Sequence, residues 1–292
     1  MRIRKRHMAP LIHPLTLLMI TMLMFTGCAE CDRRAEIEVS NKFDILSNSD
    51  VPDTWPKGFW RHHTIDDSSL GADGTRFGDI NGDGLLDITT PWEQGGIVRV
   101  YINPGNKGLK DPWPQVTAGE VGDPEDSFFV DLDGDGHLDV VSACEGKTQS
   151  MFVHWAPTDR SKLLNPAAWT TKPIPFNSDA VRWMYAFAMQ IDGKAGVDIV
   201  AASKYALQID GKAGIEDSAV LGWFQSPENS RDMASWRRHR LLLGTWFMTL
   251  RPSDIDKDGD LDIVTVEEKG PYLAKGYQGK ELGVIWYENP AR

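Results

Sequence analysis

Cysteine is scarce: three in 292 residues. That is too few for a disulfide framework. Basic residues are outnumbered, 31 Lys+Arg against 42 Asp+Glu, for a net charge of −11. A non-specific nucleic-acid binder needs the opposite balance, because it must displace counterions from phosphates. The composition also offers neither the heptads of a coiled coil nor the apolar runs of a multi-span membrane protein. Catalytic signatures are missing as well. There is no Gly-x-Ser-x-Gly elbow, no phosphate-cradling glycine loop and no His-Glu-x-x-His. At 41% hydrophobic and 25% charged residues, the chain has the make-up of a globular protein rather than a disordered one.

The first 28 residues read as an address. Arg2, Arg4, Lys5 and Arg6 form a charged start, and Leu15 to Phe25 is an apolar run of eleven residues. That run is too short to span a hydrocarbon core of about 30 Å, so a cleaved signal peptide is expected over residues 1–27. The segment Phe25-Thr26-Gly27-Cys28 resembles a bacterial lipobox, with Phe25 where Leu is usual. Lipidation of Cys28 is therefore expected, with plain secretion as the alternative. Residues 28–58 read as a polar tether. Removing residues 1–27 takes away four positive charges and no negative ones, which moves the net charge from −11 to −15. Cys144 lies in an apolar run and is expected to be a buried core thiol.

A nine-residue pattern recurs through the remainder, residues 59–292. Its copies are Asp79-Ile-Asn81-Gly-Asp83-Gly84-Leu85-Leu-Asp87, Asp131-Leu-Asp133-Gly-Asp135-Gly136-His137-Leu-Asp139 and Asp254-Ile-Asp256-Lys-Asp258-Gly259-Asp260-Leu-Asp262. A degenerate copy, Gln190-Ile-Asp192-Gly-Lys194-Ala-Gly196-Val-Asp198, lies between the second and the last. The first positions are 52, 59 and 64 residues apart. Each copy has an apolar run before it and a β-branched run after it. A turn and a strand ending near a proline come next. Tryptophan-led segments follow three of these units, at Trp113, Trp169 and Trp236. Internal repetition of four short strands predicts an all-β fold, a β-propeller of four-stranded blades. Four blades are apparent, forming either a small ring or part of a larger one; two stacked sandwiches are the alternative. Trp60–Ile65 reads as a fourth outer strand, expected to complete the last blade beside Val284–Tyr287. The near-copy Gln208–Gly214 reads as an inserted hairpin.

The acidic bends read as calcium sites. A hard dication takes six to eight oxygens at about 2.3–2.6 Å. Side chains at positions 1, 3 and 5 of a tight bend turn to one point, glycine at position 6 permits the bend, and position 7 adds a carbonyl. The expected ligands are Asp79, Asn81, Asp83, the Leu85 carbonyl and Asp87; Asp131, Asp133, Asp135, the His137 carbonyl and Asp139; and Asp254, Asp256, Asp258, the Asp260 carbonyl and Asp262. With oxygen-only ligands, zinc and copper do not fit. Eleven carboxylates at these positions repel one another unless neutralised. Two to three Ca2+ ions are expected, each worth roughly 1.4–2.7 kcal/mol at millimolar calcium. In the degenerate bend, the Lys194 ammonium is expected to take the cation's place between Asp192 and Asp198.

The phrases Phe77-Gly-Asp-Ile-Asn-Gly-Asp-Gly84 and Phe129-Val-Asp-Leu-Asp-Gly-Asp-Gly136 resemble FG-GAP/VCBS repeats. With Trp155-Ala-Pro157 and the Trp-Tyr-Glu-Asn-Pro290 ending, the chain also resembles uncharacterised exported proteins of planctomycete-type bacteria. The resemblance implies a β-propeller, commonly of about seven blades. With no catalytic motif, it points to a non-catalytic module that binds a glycan or protein at the cell envelope. No nucleic-acid partner and no oligomer are expected, and the membrane is reached only through a lipid anchor. The alternative is an extracellular polysaccharide lyase or hydrolase using rim carboxylates, with Glu93, Glu145, Glu267 and Glu268 as candidates. Trp92, Trp183 and Trp246 fall outside the repeat register and are candidates for a sugar-stacking face. His62, His63 and His239 read as packing residues.

Overall fold

The computed structural model describes residues 61–175, 181–204, 219–244, 246–268 and 283–289. The signal, the tether, Cys28, Cys31, Trp60 and the Gln208–Gly214 near-copy lie outside these residues. Each acidic bend forces the chain to reverse, and the β-branched run after it pairs back on the run before it. The first sheet comprises β1 (Arg76–Gly78), β2 (Asp87–Trp92), β3 (Ile97–Tyr101) and β4 (Gln115–Glu120). The second comprises β5 (Pro124–Val130), β6 (Asp139–Cys144), β7 (Met151–Trp155) and β8 (Thr170–Ile174). The third comprises β9 (Arg182–Met189), β10 (Asp198–Lys204), β11 (Ala219–Gln225) and β12 (Arg237–Gly244). The last comprises β13 (Phe247–Ser253), β14 (Asp262–Glu267) and β15 (Gly283–Tyr287). Every sheet is an antiparallel meander in chain order. These are four blades of a β-propeller.

The core lies between blades. Val98, Val100, Val116 and Ala118 of the first blade meet Val140 and Cys144 of the second. Phe128, Val141 and Val153 of the second meet Ala186, Ile199 and Ala201 of the third. Phe187, Val200 and Leu221 of the third meet Phe247, Leu250 and Ile263 of the fourth. A strand buried on both faces cannot alternate apolar and polar residues, which is why β6 and β10 read as nearly continuous apolar runs. Cys144 is fully buried at the first seam, and its thiol is pushed up to about 12 by that burial.

The expected outer strand at residues 61–65 does not form. Among the described residues, β15 pairs only with β14. Ile65 instead packs against Ile88, Tyr101 and Trp113, and its carbonyl accepts the Trp113 N–H at 3.1 Å. The next residue explains the difference. Asp66 accepts hydrogen bonds from Arg99 and from the Tyr101 hydroxyl; burial alone would raise its carboxyl, but donors from Ser68 first, then Tyr101 and Arg99, bring it down to about 2. The segment thus packs on the Ile88, Tyr101 and Trp113 side of the first blade.

Asp126 joins three blades. It lies on β5, is fully buried, and accepts from Arg76 Nε at 3.1 Å and Nη2 at 2.6 Å on the first blade. Its Oδ2 also accepts the Ala186 N–H of the third blade at 3.2 Å. Removing one member of a buried ion pair costs about 3–5 kcal/mol. Arg76 keeps some water, so Asp126→Ala is expected to cost about 3 kcal/mol, the low end of that range. Urea unfolding measures this; a loss below about 1 kcal/mol would remove Asp126 from the seam's energetics.

Candidate metal centres

The four bends between the first and second strands lie at one end of the propeller, because each joins the same pair of strands in its blade. Their backbones are alike. Gly84, Gly136 and Gly259 adopt φ of +83°, +85° and +101°, the left-handed region that glycine occupies without strain. In the degenerate bend, the slipped Gly196 takes over at +98°. The fourth position is also left-handed, with Gly82, Gly134 and Gly193 at +71° to +75° and Lys257 at +66°.

The ninth-position aspartates do the same work in all four bends. Asp87 accepts from the Ile80 N–H at 3.0 Å and the Asn103 N–H at 2.8 Å. Asp198 accepts from Ile191 and Ser226, both at 2.9 Å. Asp262 accepts from Ile255 and Asn289, both at 2.9 Å, and Asp139 accepts from Ala156 at 2.9 Å. Each carboxylate ties its bend to the end of the third strand of its blade. Burial raises the carboxyls of Asp87 and Asp198 above their ordinary range.

The first-position residues divide the bends. In the first bend, Asp79 Oδ1 accepts from the Gly82 and Asp83 N–H groups at 2.7 and 3.0 Å, and Oδ2 accepts from Gly84 at 2.9 Å. In the degenerate bend, Gln190 Oε1 accepts from Asp192 and Gly193, while its amide nitrogen donates to the Lys194 and Gly196 carbonyls. In the second and last bends, Asp131 Oδ1 and Asp254 Oδ1 are buried with no hydrogen-bond partner, as is Asp260 Oδ1. A buried carboxylate oxygen without a donor is costly unless a cation meets it. Carboxylate oxygens of Asp131, Asp133 and Asp135 lie within 4.8 Å of one another, and so do those of Asp254, Asp256 and Asp262. Oxygen-only ligands with orphaned lone pairs fit a hard dication there. Lys194 pairs with Asp192 at 3.0 Å, as its place in the sequence implies, but Asp198 is taken by backbone donors.

A second cluster lies at the opposite end, where β1 and β5 begin and β2, β6 and β10 end. Asp73, Glu93 and Glu125 bring oxygens within 4.8 Å of one another. The Lys204 ammonium lies 3.7 Å from Glu125 and forms an ion pair with Glu145. Glu125 is the extra residue where the β5–β6 register shifts between Pro124 and Asp126, and such a bulge re-aims a side chain. Of the four rim carboxylates expected from the sequence, Glu93 and Glu145 each border Glu125 here. The participation of Asp73, Glu125 and Lys204 was not anticipated; its one signal is Glu125-Asp126 standing in an otherwise mostly uncharged strand.

The family model of the FG-GAP-like repeat matches residues 79–142, the first two bends with the strands between them. An FG-GAP-like repeat thus lies within this four-bladed β-propeller. No curated protein matches it.

The propeller buries two of the three tryptophans that fell outside the repeat register and leaves Trp246 half-buried. Trp92 and Trp183 are 6% and 0% exposed, and the Trp92 indole N–H donates to the Tyr101 hydroxyl at 2.8 Å. Neither forms a sugar-stacking face. His239 stacks on Trp223 with centroids 4.5 Å apart, a packing role. His154 is fully buried between the Ser142 and Thr171 hydroxyls at 2.9 and 2.8 Å, and burial drives its pKa down to about 3, so it is neutral at physiological pH.

Burial first, and the neighbouring Glu145 next, push Glu125 up from 4.5 to about 9. The folded state therefore holds a proton that the unfolded chain has released. The stability this gives is complete below pH 4.5 and is lost as pH rises toward 9. Glu125→Gln keeps a hydrogen-bonding head that does not titrate, so its melting midpoint is expected to fall less than wild type between pH 5 and 9. Parallel curves would contradict the assignment.

Proposed function

We propose that the protein is an exported, calcium-stabilised propeller that binds a glycan or protein at the cell envelope without catalysis. The observation that carries the calcium part is the pair of orphaned first-position oxygens, Asp131 Oδ1 and Asp254 Oδ1. The degenerate bend serves as an internal contrast: where Gln190 and Lys194 replace two acids, every first-position polar atom has a partner. Bound calcium supplies charge to bends that otherwise hold unbalanced carboxylates. Asp131, Asp133 and Asp135 would hold one ion and Asp254 and Asp256 another, with Asp79, Asn81 and Asp83 as a third set that must first release its backbone donors. Export rests on the charged start and apolar run of residues 1–25 and on the lipobox-like Cys28. Binding rests on the fold, a rigid scaffold whose connecting loops are free to vary.

One observation favours a second reading. Glu93 and Glu145 both border Glu125, whose carboxyl burial raises, and a raised acid among further carboxylates is the arrangement that acid–base catalysis on a polysaccharide uses. Glycan-array binding together with reducing-end release separates the two. Binding without release supports the module. Release that Glu93→Gln or Glu145→Gln abolishes establishes the enzyme.

Calcium is tested by melting the protein in millimolar calcium and again with excess chelator. Two filled sites at about 1.4–2.7 kcal/mol each are expected to lower the midpoint by several degrees on chelation. Asp131→Asn with Asp254→Asn is expected to remove most of that shift, and an unchanged wild-type midpoint would refute calcium stabilisation.

A further inference from the structure

The second acidic bend has a competitor for its cation, supplied by the next blade. Arg231 lies in the connection between β11 and β12, and its Nε donates to Asp133 Oδ2 at 2.5 Å. Its guanidinium stacks on Trp155 at 4.5 Å from the ring centroid, and its own N–H is held by Asn229 Oδ1 at 3.2 Å. Trp155 is buried at the end of β7, so the ring is a fixed platform. The Arg231 side chain is 44% exposed and that of Asp133 10% exposed. The arginine can therefore swing into water, whereas the aspartate cannot leave the bend.

We propose that Arg231 and a divalent cation compete for Asp133, making Arg231 the residue that sets the cation affinity of the bend at 131–139. The proposal rests on the calcium reading of that bend. Asp133 is one of three carboxylates gathered within 4.8 Å; the first of them, Asp131, keeps its orphaned oxygen even with Arg231 in place. The arginine thus neutralises one acid of the three and leaves the bend short of positive charge. A dication entering the bend needs the Asp133 oxygen that Arg231 holds. Even an arginine that stays nearby repels the incoming charge. The arrangement has a partial parallel at the preceding seam, where the Arg160 guanidinium of the second blade lies on Gly82 of the first bend. The bend at 254–262 has no such arginine among the described residues.

Calcium titration by calorimetry of the purified protein and of Arg231→Met tests this. Methionine keeps the contact with Trp155 and removes the charge. An exposed ion pair is worth enough to change an affinity about two- to fivefold. One class of sites is expected to tighten by that factor in Arg231→Met and in Arg231→Gln. The gain is expected to vanish when Asp131→Asn is added and to persist when Asp254→Asn is added. Equal or weaker calcium affinity in both arginine variants, or a gain that survives Asp131→Asn, overturns the proposal and leaves the calcium reading standing. No calcium uptake by wild type or variants removes both.

Discussion

A tight reversal at the end of two strands holds only if something ties it to the rest of the sheet. Here the tie is a carboxylate, the ninth-position aspartate. Asp87, Asp139, Asp198 and Asp262 are all buried, and all accept a backbone N–H from just beyond the third strand of their blade. This bond fixes where the third strand ends relative to the bend, and so which residues each face of the blade presents to its neighbours. The seams of Val98 and Val100 against Val140, and of Phe187 against Phe247, depend on that register. The aspartate persists in the degenerate bend, where two other acids are gone, because its task belongs to the sheet.

The other acids of the pattern solve a different problem. Their spacing points them at one spot, which concentrates like charge in a space of a few ångströms. The four bends resolve this in different ways. The first spends its lead carboxylate on backbone donors, the third carries an ammonium, the second draws on an arginine from the following blade, and the last leaves two oxygens bare. One sequence pattern therefore holds four electrostatic situations; its first and fifth positions set the degenerate bend apart, and a neighbour outside the pattern sets apart the second.

The strands, their order and the bends could be read from the sequence, because glycine and aspartate at fixed offsets leave the backbone few choices and the β-branched runs between them fit pleated sheets. The placement of residues 61–65 could not. Their aromatic and β-branched character resembles an outer strand, and only Asp66 finding Arg99 and Tyr101, some 33 to 35 residues away, directs them to the first blade. The rim cluster was half visible. Glu93 and Glu145 could be placed at one end of their blades, but the inward turn of Glu125 depends on a one-residue register shift that no periodicity announces. Arg231 and Asp133 are 98 residues apart, and nothing local couples them. Short-range chemistry was legible, while charge pairs across seams appear only once the sheets are stacked.

The third bend carries its own counterion, and this bears on how the molecule assembles. Under the calcium reading, its sheet can close in water poor in dications, with Gln190 and Lys194 already satisfying the turn. That sheet also meets Asp126 through the Ala186 amide, so a finished third sheet offers a docking edge to the second.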